Sequence, residues 1–344
     1  MRALVTGAGG FIGGHVVRTL AAAGAEVRAL YRNPASVIDL PREVDFVRGD
    51  IRNFELMRRA VEGCDTVFHL AALYSYARGD AMLMESVNVE GTRTVLDAAL
   101  RGRRRRIIHT SSCATCGPVR GRPATEADLP SPAELGIPYK RTKLDAEQVA
   151  LRAARDGGEV IVVNPTVPVG RGDRRPTPTG KMVADVVHGR ARAYLAGSAL
   201  NIVAVEDVAV GHLKALERGR AGQRYLLGGE NMALSEIFSI IARAVGHAPP
   251  RLGLPWSAVY PMAWIGDAVL RAVGREPQLL VLDEVRTGRV PHLFDDSKAR
   301  TELGYASSPA AQALAAGAQD ALARRPTASR RSHPSFVVRP PAVQ

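Results

Sequence analysis

Tyr139 and Lys143 stand four residues apart in a stretch with helical periodicity, Tyr139 to Arg155, so both side chains leave one face of a helix. That spacing has a chemical use. A phenol with a pKa near about 10 is a poor base at neutral pH, and a neighbouring ammonium stabilises the phenolate and lowers that value. Tyr139 could then exchange a proton with a reacting oxygen while Lys143 tunes it and holds part of a bound ligand. Taken alone, Tyr-x-x-x-Lys is more often a surface pair. A β-rich run, Arg106 to Ser111, changes its weight, because it delivers Thr110-Ser111-Ser112 to the C-terminal edge of a sheet, where open parallel sheets bind ligands. A hydroxyl there can donate to a substrate oxygen as charge develops on it.

A second constellation lies at the start of the chain. A β-rich run ending in Thr6 is followed by Gly7-Ala8-Gly9-Gly10-Phe11-Ile12-Gly13 and then a helical pattern. Gly7 suits a tight turn, Gly10 lets backbone approach a pyrophosphate, and Gly13 lets the helix pack closely on the strand. Exposed amides and the positive helix end then hold the anion. At the end of the second run the sequence reads Tyr31-Arg32, with no acid to accept from both ribose hydroxyls of NAD. Arg32 can pair with a 2′-phosphate instead, so NADP(H) is favoured over NAD(H); the plainer alternative is an arginine that caps the strand in solvent.

The elements that must position these groups are legible as a pattern. Arg2–Thr6, Glu26–Tyr31, Val44–Arg48, Thr66–Leu70, Arg106–Ser111 and Val160–Asn164 read as strands. Phe11–Ala23, Phe54–Glu62, Met82–Leu100 and Tyr139–Arg155 read as the helices between them. The alternation predicts an α/β fold, a Rossmann-type doubly wound parallel sheet with a smaller C-terminal substrate-binding lobe. The expected division is a cofactor-binding domain with the catalytic residues at 1–165, a mixed lobe at 166–323 with segments returning to the main domain, and a basic tail at 324–344. Pro165–Gly180 reads as a loop lining the site. Ile202–Val205 and Arg224–Leu227 read as strands, Val208–Glu217 and Leu234–Val245 as helices. Trp256–Val273 is apolar, but Asp267 and Arg271 interrupt it and Pro261 would break it, so a buried or substrate-facing helix is expected rather than a membrane span.

Composition narrows the function classes. The 344 residues are 46% hydrophobic and 23% charged, ample for a sizeable core. The formal net charge is +12, but ten positive charges sit in two places: Arg101, Arg103, Arg104, Arg105 and Arg106, and Arg324, Arg325, Arg330, Arg331 and Arg339. Neither segment interleaves aromatic residues, so nucleic acid is not an expected partner; the reading is a solvated loop and a solvated tail, with weak contact to a membrane surface or another acidic partner as the alternative. The first strand leaves no room for a signal peptide, and three cysteines make no disulfide framework, so a cytoplasmic location is expected. Cys113 and Cys116 have redox-motif spacing but follow a strand, and are read as buried reduced thiols. The eight histidines show no ligand spacing, so no metal is expected.

With these motifs assembled, the chain up to about Tyr305 resembles the extended short-chain dehydrogenases/reductases of the NAD-dependent epimerase/dehydratase superfamily. Within it the sequence is similar to the dihydroflavonol-reductase-like branch, and most to the hopanoid-associated sugar epimerases, through Asn164–Gly170, Pro176–Gly180, Asn201–Val208 and Tyr225–Asn231. The resemblance selects Ser112 as the catalytic hydroxyl, with Ser111 as runner-up, and adds Asn88, from Asn-x-x-Gly-Thr, to the set. It places Asp50-Ile51 at the adenine, Leu70-Ala71-Ala72 and Pro165 along the cofactor, and implies a homodimer paired through the helices beginning near Met82 and Tyr139. Tyr74 and Tyr76 could line the substrate pocket, though packing roles are equally open. Sugar-nucleotide dehydratases carry an acid beside the catalytic hydroxyl; here Cys113 and Ala114 stand there, so dehydration is not expected. The expected activity is reversible hydride transfer between NADP(H) and a small ketone or secondary alcohol. Epimerisation of a sugar or nucleotide sugar, with retained cofactor and the same residues, is the alternative. A catalytically idle scaffold would not need the Ser, Tyr and Lys set.

Overall fold

The structure, a computed structural model, describes residues 1–101, 105–174, 176–272 and 281–324. Short β-branched runs form strands, and the longer 3.6-periodic stretches between them cover both faces. In chain order the first half is β1 (Arg2–Thr6), α1 (Phe11–Ala22), β2 (Glu26–Tyr31), β3 (Asp45–Arg48), α2 (Phe54–Ala60), β4 (Thr66–His69), α3 (Ala81–Met84), α4 (Gly91–Leu100), β5 (Arg106–Thr110), α5 (Pro132–Leu135), α6 (Pro138–Arg155) and β6 (Glu159–Pro165). There follow β7 (Val167–Val169), α7 (Pro178–Val187), β8 (Ala193–Leu195), β9 (Ala199–Ala204), α8 (Val205–Arg218), β10 (Arg224–Leu227), β11 (Glu230–Ala233) and α9 (Leu234–Ala244). The last elements are β12 (Leu252–Leu254), α10 (Trp256–Ala272), α11 (Leu282–Thr287), α12 (Ser297–Leu303) and α13 (Ala310–Ala323).

Seven strands make one parallel sheet in the order β10-β6-β5-β4-β1-β2-β3. This is the Rossmann-type doubly wound arrangement. Its strand order reverses between β1 and β4, so a crevice opens at their C-terminal ends. Alternate residues of β1 show how the layers form: Ala3 and Val5 pack with α1 and α8, Leu4 with α2 and α4. A third core joins α7, α9 and α13 to the three-stranded sheet β11-β9-β7.

Four expectations are corrected. The stretch Met82–Leu100 is not one regular helix, because a π-helical turn at Glu85–Glu90 separates α3 from α4. Pro165–Gly180 is not wholly loop, since Val167–Val169 pairs in parallel with β9 and Pro178 begins α7 behind a Thr177 cap. α10 passes through Pro261, where both Pro261 and Ser257 are exposed, so water can take the carbonyl bond that proline removes. That helix is neither buried nor wholly inward-facing: Met262, Trp264, Ile265 and Val269 are exposed. No helix among the described residues is long and apolar enough to cross a membrane.

The arginine segment is also not simply solvated. Arg103, Arg104 and the tail arginines beyond Arg324 lie outside the described residues. Arg105, however, is buried, donating from Nε to the Cys64 carbonyl at 3.1 Å and from Nη1 to the Ala99 carbonyl at 2.9 Å. Arg106 reaches Glu159 and the Gly219 carbonyl, and Arg324 reaches Asp320 and the Asp173 carbonyl. A guanidinium with five fixed donors can satisfy several orphan carbonyls where loops converge. Arg105→Ala should therefore destabilise the fold by about 2–3 kcal/mol, read as a lower urea midpoint with unchanged slope; an unchanged midpoint would mean that its two bonds carry no net stability.

Candidate active site

β1 ends at Thr6 and the chain turns at Gly7, whose φ is +72° and where an added Cβ would stand 2.7 Å from the Ala71 amide nitrogen. A Cβ at Gly13 would collide with the Gly7 carbonyl. Only glycines let loop and helix approach this closely. α1 then starts behind Gly10 with no side-chain cap, leaving first-turn N–H groups facing a cavity of about 1130 Å³. That cradle fits a dinucleotide pyrophosphate.

The cavity runs along the C-terminal sheet edge. It is bordered by Gly7, Gly10, Phe11, Ile12 and Gly13, by Arg32, Asp50 and Ile51, and by Leu70, Ala71, Ala72 and Pro165. Ser111, Ser112, Tyr139, Lys143, Tyr74 and Tyr76 border it as well. Of the residues expected at the site, Asn88 alone does not reach it. Arg32 is exposed at the end of β2, with no acid at that position. The Asp50 carboxylate is already engaged by Arg52 at 2.8 Å, and that hydrogen bond chiefly holds it below the ordinary carboxylate range.

Asn88 sits in the π-helical turn, behind the cavity wall. Its Oδ1 accepts from the Leu73 amide at 2.7 Å, and its Nδ2 donates to the Leu73 carbonyl at 3.0 Å and to Thr142 Oγ1 at 3.2 Å. One amide thus clamps the loop after β4 to α6, the helix that carries Tyr139 and Lys143. Lys143 is buried and donates to the Thr110 carbonyl at 2.8 Å. Burial pulls its pKa down to about 8, opposed by the charge of Glu147. Tyr139 is half-buried, and burial pushes its phenol up while the Ser112 hydroxyl works in the other direction. In the ligand-free protein burial, rather than the ammonium, sets the direction of that shift. The Tyr139 ring stacks on Tyr74 at 4.2 Å between centroids, with Tyr76 at 6.3 Å, edge-on.

Ser112 caps the turn after β5, its Oγ accepting from the Ala114 amide at 3.2 Å. Ser111 Oγ is buried without a hydrogen-bond partner among the described residues. The turn is held from behind: Glu147 accepts from Thr115 Oγ1 at 2.7 Å and Asn164 Nδ2 at 2.6 Å, and pairs with Arg224 at 2.9 Å. Cys113 and Cys116 are free and buried, and burial pushes the Cys113 thiol up to about 12.

Among the cavity residues that sequence reasoning missed are Lys140 and His292. Lys140 is ion-paired with Glu134 and lies 3.3 Å from His292 Nε2. Lys140 could have been found from its place beside Tyr139. His292 carries no local signal, arriving from 152 residues further along the chain.

Sheet, glycine cradle and sheet-edge hydroxyl, phenol and amine together define an NAD(P)-dependent oxidoreductase of the extended short-chain dehydrogenase/reductase type. The sequence profile of the NAD dependent epimerase/dehydratase family matches residues 3–228, and the chain belongs to that family. It is 37% identical over 319 residues to a putative dihydroflavonol 4-reductase of Synechocystis sp., covering 90% of this chain and 92% of the relative. It is 35% identical to the sterol demethylase protein B of Methylococcus capsulatus, covering 92% and 96%. The crystal structure of gox2253 superposes with a TM-score of 0.80 at 37% identity, covering 92% of this chain and 97% of that one.

Because Lys143 loses its proton near pH 8 in the ligand-free protein, kcat/KM for the nicotinamide cofactor should fall as pH rises through about 8. Lys143→Arg, which keeps its charge, should show lower activity but no such limb. A limb that persists in the arginine variant would assign the titration to another group.

Proposed function

We propose that this protein reduces the ketone of a small molecule with NADPH, reversibly, giving a secondary alcohol. The observation that carries the reading is geometric: the Tyr139 phenol, the Ser112 hydroxyl and the Lys143 amine border one cavity with the glycine cradle, at the C-terminal edge of the sheet. When bound, the dihydronicotinamide supplies the hydride to the carbonyl carbon. Tyr139 gives its proton to the carbonyl oxygen, Ser112 donates a hydrogen bond to that oxygen, and Lys143 holds the ribose and recharges the phenol. Asn88 acts through Leu73 and Thr142 as a positioning residue. Tyr74, stacked on Tyr139, and Tyr76, edge-on to both, line the substrate end, Ser111 being the alternative hydroxyl.

Residues 1–165 would carry the cofactor and the catalytic groups, with 166–323 closing over the substrate. Arg32, in place of an acid at the end of β2, supports NADP(H) over NAD(H). The name of the Synechocystis relative supports a reductase. The family name supports the second reading, epimerisation of a sugar-like substrate by the same residues. Buried free thiols fit the cytoplasm, and the exposed side chains of Met82 and Leu83 on α3 fit a homodimer paired beside α6.

Three measurements test this. Mixed with carbonyl compounds and nucleotide sugars, the enzyme should consume NADPH in proportion to product; isomerised substrate with no net cofactor change would establish epimerisation instead. Tyr139→Phe should abolish turnover while leaving cofactor affinity nearly intact, and retention of most activity would remove the acid from Tyr139. NADP(H) should bind at least roughly tenfold more tightly than NAD(H), the scale of one charge-assisted pair. Arg32→Asp should reverse that order, and equal affinities in the unaltered enzyme would leave Arg32 without this role.

A further inference from the structure

α10 is amphipathic in the reverse of the ordinary sense. Its acid, Asp267, is buried, whereas Met262, Trp264, Ile265 and Val269 are 60, 56, 55 and 59% exposed. With Pro261 and Ala268, also exposed, they span an arc of about 160° around the helix, and no charged side chain falls within it. The other side packs on α11 through Val259 and Ala263 against Leu282 and Val285. Exposing this much contiguous apolar side chain is unfavourable unless something covers it.

We propose that this face seats the enzyme on an anionic lipid bilayer. Three observations favour lipid over a protein. Beyond Ser257 at its N-terminal end, the face offers only the Trp264 indole as a polar group, an amphipathic ring suited to the headgroup boundary. Six side chains are also far fewer than the roughly 20–30 residues a side that hold a stable protein interface. The charge of the chain matches an acidic surface: Arg251 is exposed just before the helix, and the sequence of residues 325–344 holds four arginines and no acid. An apolar helix face and a basic segment are the two signals that surface anchoring needs. Thr287, at the end of α11, borders the cavity and meets Tyr76, so the seated face holds the substrate end of the site close to the lipid.

The chain has two tryptophans, and Trp256 is stacked on Tyr260 with its Nε1 donating to the Val285 carbonyl. A Trp256→Phe protein therefore leaves Trp264 as the single reporter. Added to vesicles of equimolar phosphatidylglycerol and phosphatidylcholine, it should co-float and shift its emission to the blue. In the unaltered background Ile265→Ser with Val269→Ser, both exposed, should weaken flotation at least roughly tenfold without changing circular dichroism or NADPH turnover of a soluble ketone. Removing residues 325–344 should weaken binding to anionic vesicles and leave what remains less sensitive to salt. No flotation, or flotation that the serine pair leaves unchanged, overturns the proposal. So does an oligomer in the unaltered protein that the serine pair dissociates, because a second copy would then cover the face.

Discussion

The buried pair of Glu147 and Arg224 holds the site together. Glu147 projects from α6, the helix of Tyr139 and Lys143, and Arg224 opens β10, the strand that returns from the second half to complete the sheet. Their charges stand 2.9 Å apart without an aligned hydrogen bond, and the remaining carboxylate oxygen accepts hydrogen bonds from Thr115 and Asn164. Asn164 in turn donates to the Ser112 carbonyl at 3.1 Å. A buried charge is costly unless compensated, so the position of each partner is fixed by the others. One carboxylate thereby sets the spacing between the helix with the phenol and the turn with the hydroxyl.

A second anchor works from the opposite wall. Asn88 bonds both backbone groups of Leu73 and reaches Thr142, so the loop leading to Tyr74 and Tyr76 is tied to α6 one residue from Lys143. An α-helix satisfies its own backbone groups, and the π-helical turn at Asn88 is a local departure that such helices often carry at functional sites. The stacked Tyr74 and Tyr139 rings lie where these two anchors converge.

Positive charge is distributed by use rather than by sequence cluster. Arg105 and Arg106 look like members of a basic loop, yet they close off carbonyls of Cys64, Ala99 and Gly219. Arg324 borders the cofactor cavity while bound to Asp320. The large apolar side chains of α10 show the converse, a segment whose composition suggests burial but whose placement leaves one face outside.

Strands β1 to β6, the glycine turn and the grouping of Tyr139 and Lys143 with a hydroxyl at the end of β5 were all legible in the sequence. They rest on local physics: side-chain period, the backbone freedom of glycine, and the spacing of groups on one helix. The family resemblance added Ser112, Asn88 and the residues along the cofactor, and each lies at or just behind one cavity. Tertiary structure alone decided the rest, because it depends on burial and on partners distant in the chain. Burial, rather than the lysine, dominates the ionisation of Tyr139, and no residue spacing reports burial. Lys140 meets His292, Glu147 meets Arg224, and Val167–Val169 becomes a strand only because β9 lies alongside. α10 is apolar along most of its length, and which of its faces met α11 and which met solvent was settled only when the chain folded.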